Sequence, residues 1–160
     1  MILTTPSQRR DLQARSKKVA MVGASANPTR PSYFVFRYLR THGFDVRPVN
    51  PAYKEVDGLK SYASLAQYAE ENGPPDIVDV FRKPEHTPQV ARDAVSVGAK
   101  AIWFQYGVIN QEAIRIADDA GLDVVVDRCM KVEHARFAGG LSVAGMNSGV
   151  LSSKRSPIVP

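Results

Sequence analysis

The sequence predicts an α/β fold, a Rossmann-like, doubly wound domain built on a parallel five-stranded sheet, and three observations point to it. Five short apolar runs, at residues 18–23, 45–50, 76–81, 99–105 and 122–127, are rich in Val, Ile, Phe or Trp. Several are near-continuous rather than alternating, as strands covered on both faces are. Stretches of helical period separate them, and helices between strands require parallel pairing with right-handed crossovers. Finally, 160 residues with 44% hydrophobic and 23% charged side chains suit one domain whose core needs no disulfide or metal.

The elements follow in order. Residues 1–16 form a helix or an arm, and the first strand closes at Gly23. Ser32 to His42 places Val35, Tyr38 and Leu39 on one helical face and stops at Gly43, a position for a left-handed cap. After the second strand, Ser64-Leu65-Ala66-Gln67 has the form of a capping box, and Asn72-Gly73-Pro74-Pro75 breaks that helix. Beyond the third strand a helix opens at Thr87-Pro88, with threonine as cap and proline at the first helical position, and runs to Gly98. The last spans Asn110 to Ala120, capped by Asn110 and stopped by Gly121 before the fifth strand. The expected strand order is 3-2-1-4-5, with a switch point between the first and fourth strands, where a ligand would meet the carboxyl ends. The domain then covers residues 17–145, and 146–160, with Ser, Gly and Pro, reads as a flexible tail.

The formal charge of +5 invites a nucleic-acid reading. Its distribution argues otherwise. Residues 1–18 carry five basic side chains against one acidic, and 146–160 add Lys154 and Arg155, whereas fourteen basic residues face fifteen acidic ones between 19 and 145. Nucleic acid is therefore disfavoured as a partner, its one remaining route being a basic N-terminal arm. With Cys129 as the single cysteine, no intramolecular disulfide can form, which favours a reducing, cytoplasmic compartment. No run approaches the roughly 18 apolar residues of a membrane span, and the N-terminus lacks a secretory pattern.

The turn after the first strand, Gly23-Ala24-Ser25 through Arg30-Pro31-Ser32, sits where Rossmann domains present backbone N–H groups to phosphate. Gly23 would permit close approach, Ser25 offers a hydroxyl and Arg30 a planar cation. The turn lacks the three glycines of a dinucleotide fingerprint, so a plain NAD site is disfavoured. The second strand ends at neutral Asn50 rather than at the acidic residue that holds an NAD ribose, and Pro51, Tyr53 and Lys54 follow. A lysine there suits a phosphorylated ribose, as in NADP or coenzyme A.

Five segments together carry a family resemblance: Val22-Gly23-Ala24-Ser25 through Arg30-Pro31-Ser32; Val49-Asn50-Pro51; Asp76-Ile77-Val78-Asp79-Val80-Phe81-Arg82-Lys83-Pro84-Glu85; Trp103-Phe104-Gln105-Tyr106-Gly107; and Asp127-Arg128-Cys129-Met130-Lys131-Val132-Glu133-His134. Over roughly residues 15–137 the chain resembles the small stand-alone CoA-binding proteins of the YccU-like type, which are related to the CoA-binding domain of the succinyl-CoA synthetase alpha subunit. The resemblance implies that Gly23, Ala24, Ser25 and Arg30 hold the CoA pyrophosphate. Asn50, Pro51, Tyr53 and Lys54 would flank the adenosine and its 3′-phosphate. Phe81, Arg82 and Lys83 would close over the nucleotide, while Gln105 and Gly107 would lie along the pantetheine arm.

Other residues have blander readings. Trp103 belongs to the core, Ser32 is a cap or a ligand contact, and Cys129 is either a buried thiol or a partner for the CoA thiol. His134 reads as structural, His42 as a helix end and His86 as exposed. No nucleophile, base and orienting acid occur together, and no cysteine or histidine pairs suggest a metal. In the larger relatives a phosphorylated histidine on a second domain forms acyl-CoA, and 160 residues leave no room for that domain. The expected function is non-catalytic binding of coenzyme A or a short acyl-CoA; the alternative is a small NADP-dependent or acyl-CoA-using enzyme employing Cys129 or His134. A homodimer stays open, as does any protein partner.

Overall fold

The computed structural model describes residues 1–138; the tail expected at 146–160 lies outside them. Five parallel strands form the sheet: β1 (Lys18–Val22), β2 (Asp45–Val49), β5 (Ile77–Val80), β6 (Ala101–Phe104) and β7 (Asp123–Val126). Two short strands, β3 (Glu55–Val56) and β4 (Leu59–Lys60), make a hairpin that the sequence reading did not foresee. The helices are α1 (Pro6–Ala14), α2 (Pro31–Thr41), α3 (Leu65–Asn72), α4 (Thr87–Ser96), α5 (Gln111–Asp119) and α6 (Met130–Ala138).

The sheet runs β2-β1-β5-β6-β7, which in the five strands counted from the sequence is 2-1-3-4-5. The doubly wound class stands, but the expected 3-2-1-4-5 order is corrected, and with it the switch point, which lies between β1 and β5. Alternation of strands and helices dictates parallel pairing but leaves two free edges for the third strand. Pro48 decides between them. Its carbonyl accepts from Tyr62 N at 3.0 Å and so points away from β1, and the position where its N–H would stand faces the same way. A strand lacking that donor cannot carry a second ladder on this side and belongs at an edge. The Tyr62 segment covers that edge instead, through one bridge to Val49.

Alternation of side chains gives the sheet two buried faces. Ala20, Val22, Val78, Val80, Ile102 and Phe104 pack with Leu65 and Tyr68 of α3, Ala91 of α4 and Ala113 of α5. On the other face Val19, Met21, Ile77, Trp103 and Val125 meet Leu12 of α1, Phe36 and Leu39 of α2, and Met130 of α6. The N-terminal segment is a packed part of this second layer. Thr5 caps α1 through Gln8 N at 3.2 Å, while Gln8 Oε1 accepts from Thr5 N at 3.0 Å, a complete capping box. Leu3 N then bonds Val124 O at 2.8 Å, which closes the free edge of β7.

Side-chain caps open three of the helices, α1, α3 and α5. Asn110 Oδ1 accepts from Ala113 N, and Ser64 Oγ from Gln67 N, although Gln67 reaches back to Ala63 N rather than to Ser64 itself. Thr87, expected as a cap, lies inside α4, whose cap is His86. The reason is a single 3-10 turn, Pro84–His86, that leads into the helix, with Thr87 Oγ1 donating to Pro84 O at 2.7 Å. Ser32 is likewise one residue inside α2, where its hydroxyl accepts from Ser25 N at 3.1 Å. Helix α6, which follows β7 directly, had no counterpart in the sequence reading.

Candidate functional site

Three strand ends converge at the carboxyl edge. Gly23 N donates to Val49 O at 2.9 Å and Phe81 N to Val22 O at 2.8 Å, so the chain leaving β1 is stitched to β2 on one side and β5 on the other. Gly23 has a φ of +85°, and a Cβ there would lie 2.2 Å from the Phe81 carbonyl oxygen. No side chain fits in that gap, so packing alone requires glycine at the switch point.

A groove opens over this junction in two adjoining lobes. The larger, about 410 Å³, lies between the end of β2, the start of α3 and the first turns of α4; its floor is apolar, with Val22, Val49, Leu65, Pro88 and Val90. Its rim carries Ser64, Glu85, Gln89, Arg92 and Asp93. The smaller, about 300 Å³, is bounded by Asn50, Phe81 and Lys83. Gly23, Arg82 and His86 border both lobes. Among the described residues the side chains of Arg82, Lys83 and His86 have neither an ion pair nor a hydrogen bond to protein, so their charge and donors face the groove and solvent. Arg92, by contrast, stands 3.7 Å from Glu112, and Asp93 accepts from Gln89 at 2.8 Å.

Six of the residues singled out from sequence meet here: Gly23, Asn50, Pro51, Phe81, Arg82 and Lys83. The side chain of Asn50 is largely committed to the fold, donating to Ala24 O at 2.9 Å and accepting from Ala52 N at 2.9 Å. Ser25 and Tyr53 approach each other at 3.4 Å, beside the groove rather than in its walls, and Ser25 Oγ also accepts from Asn27 N. Ala24 is buried, Arg30 is the exposed cap of α2, and Lys54 is exposed ahead of the β3–β4 hairpin.

Gln105 and Gly107 do not line either lobe. Gln105 is only 4% exposed, and its Nε2 donates to Asp79 Oδ1 at 2.5 Å, so its amide is committed to a buried carboxyl. Gly107 donates its N–H to Asp127 Oδ1 at 2.8 Å, away from both lobes. Asp79 is fully buried on β5, and its Oδ2 has no hydrogen-bond partner among the described residues. Burial pushes its carboxyl up to about 7, only partly offset by the Gln105 hydrogen bond.

Cys129 and His134 lie elsewhere. Burial raises the Cys129 thiol, with the nearby Asp79 adding to the rise, against backbone donors from Val132 and Lys131. His134 Nδ1 meets the Tyr38 hydroxyl at 2.9 Å, and burial followed by the His42 charge lowers its pKa. His134 lines two small cavities with Gln13 and Ala14 of α1, and His42 borders one of them. Among the described residues no three His, Cys, Asp or Glu side chains gather in a way that could hold a metal ion, and no helix is long and apolar enough to cross a membrane.

Sequence reasoning missed the α3 and α4 wall: Ser64, Glu85, His86, Gln89, Arg92 and Asp93. A signal existed for His86, which lies in the same segment after the third strand as Arg82, four residues further on. The rest became visible only once β5 stood beside β1.

This geometry has relatives. The chain is 39% identical over 126 residues to the uncharacterized protein YneT of Bacillus subtilis (strain 168), covering 79% of this chain and 91% of that one. A hypothetical protein from Pyrococcus horikoshii OT3 superposes with a TM-score of 0.80 at 44% identity, over 85% of this chain and 94% of the other. The dinucleotide-forming acetyl-coenzyme A synthetase 1 of Ca. Korarchaeum cryptofilum, in its apo form, matches 70% of this chain with only 26% of its own length, at 25% identity and a TM-score of 0.59. The CoA binding domain model matches residues 17–135, the whole sheet with helices α2 to α5 and the first part of α6, and the chain belongs to that family.

Proposed function

We propose that the protein binds coenzyme A or a short acyl-CoA across the carboxyl edge of its sheet and catalyses no reaction itself. The observation that carries this reading is the two-lobed groove at the switch point, with an apolar floor in the larger lobe, Arg82 beside both lobes and Lys83 beside the smaller, neither cation paired among the described residues. An apolar slot with a few polar groups on its rim suits a nucleotide base. The Arg82 and Lys83 cations suit phosphate oxygens, to which charge-assisted hydrogen bonds are short and strong. When bound, CoA would supply a thiol carrier, and this chain would hold the nucleotide and screen its charge. The separation of Cys129 and His134 from the groove, together with the raised thiol pKa, favours binding over an enzyme built on either residue. The lone cysteine fits a reducing compartment such as the cytoplasm.

Calorimetry of ligand-free protein with CoA, dephospho-CoA, NADP and ATP tests the reading. Saturable heat with CoA, weaker with dephospho-CoA, is expected, and the absence of any heat with CoA overturns it.

A further inference from the structure

The groove contains one titratable residue that the sequence reading left as a plain surface side chain. His86 borders both lobes, at the point where they meet beside Gly23 and Arg82. Its place is fixed by the backbone: His86 N donates to Lys83 O at 3.0 Å, closing the turn that begins at Pro84. The Pro84 carbonyl accepts from both Thr87 Oγ1 at 2.7 Å and Asn110 Nδ2 at 3.1 Å, so the turn is tied to α4 and to the start of α5. A side chain that is exposed, unpartnered among the described residues and carried on a pinned turn is pre-organised for a ligand.

We propose that His86 is a phosphate-binding residue that completes the Arg82–Lys83 cation set at the junction of the lobes, contributing a protonatable donor to a pyrophosphate lodged there. This rests on the CoA reading of the groove. The charged groups around it are Arg82 and Lys83 from the loop after β5, Glu85 beside it, and Arg92 and Asp93 from α4. The facing wall, Asn50, Pro51 and Ser64, contributes none that titrates. An imidazole N–H donates to a phosphate oxygen, and hydrogen bonds to an ionised acceptor are short and strong. His86 would therefore tighten the grip on phosphate, while Arg82 and Lys83 set its baseline.

Dephospho-CoA is the probe, because it carries the pyrophosphate bridge and lacks the 3′-phosphate, whose own contacts would add to the affinity. Its Kd is measured by calorimetry on the wild-type protein, His86→Ala and His86→Lys, with circular dichroism confirming each fold. We expect His86→Ala to bind roughly threefold to tenfold more weakly than wild type and His86→Lys to stay near the wild-type value. A His86→Ala variant that keeps the wild-type affinity overturns the role of His86 while leaving the CoA reading intact. Wild-type protein that binds neither dephospho-CoA nor CoA overturns both.

Discussion

Two sets of cations in this molecule are used in opposite ways. Against α6, Arg9 is 3% exposed and its Nε lies 3.1 Å from Glu133 Oε2; buried Arg136 approaches the same oxygen at 3.5 Å, while Arg9 also donates to Thr4 O. At the carboxyl edge, Arg82 and Lys83 have no protein partner among the described residues. Folding consumes the first set and leaves the second available, so a net charge of +5 says little until each cation is located. Arg15, paired with Asp123 at 2.7 Å, and Lys18, bonded to Asn72 O, also belong to the first kind. Much of the basic N-terminal segment is thus fixed within the fold, and the loose arm that would have reached for nucleic acid is a packed helix.

The contrast breaks most clearly at Glu133. Glu133→Ala leaves Arg9 buried without its carboxylate, and losing one partner of a buried pair costs about 3–5 kcal/mol. Urea denaturation should show a loss of that size, while CoA affinity of the remaining folded protein stays unchanged. A Glu133→Ala protein of wild-type stability would mean that α1 and α6 are held by packing alone.

Asp79 sharpens the same comparison, since it is a buried acid met by an amide instead of a cation. With its carboxyl pushed up to about 7 from 3.8, the fold retains a proton that the unfolded chain releases. Stability is then fully present below about pH 4, falls as pH rises toward about 7 and stays low above it, by as much as about 4 kcal/mol. Asp79→Asn keeps an oxygen for Gln105 and removes the titration. The variant should unfold at higher urea concentration than wild type at pH 8 and lose the slope; equal slopes in both proteins would refute the assignment.

These two sites also show what could and could not be read in advance. The five strands, the caps at Ser64 and Asn110 and the groove residues Gly23, Asn50, Pro51, Phe81, Arg82 and Lys83 were legible because each depends on local chemistry or on sitting directly after a strand. The strand order was misread, although Pro48 held the information, because a proline marks an edge only when the direction of its missing N–H is considered. The Gln105 hydrogen bond was hidden for a different reason. Its partner Asp79 lies 26 residues away on a neighbouring strand, and nothing local tells a glutamine at a strand end that a buried carboxyl will claim its amide. The α4 wall depended on the strand order and was lost with it.

Gly23 is where the two kinds of region overlap, because it serves both folding and the groove. Gly23→Ala places a Cβ against the Phe81 carbonyl at a positive φ, so β1 and β5 must separate locally. A loss on the order of 1–3 kcal/mol is expected, accompanied by at least a tenfold weaker CoA Kd as the lobes shift apart. Loss of stability with unchanged binding would place the ligand away from this junction.

The smallest effect on the fold, and the most direct test of the contrast, comes from replacing Arg82 and Lys83 together by alanine. Neither side chain is buried or paired, so stability should stay within about 0.5 kcal/mol of wild type. Each forms charge-assisted hydrogen bonds only once a phosphate arrives, and losing both should weaken CoA roughly tenfold to a hundredfold. The loss should be smaller at high salt, since exposed charges are screened over about 10 Å at 0.1 M ionic strength. If the double variant binds CoA as wild type does, unpaired charge at the switch point is mere solvated surface, and the distinction between cations that fold the protein and cations that wait for a ligand fails.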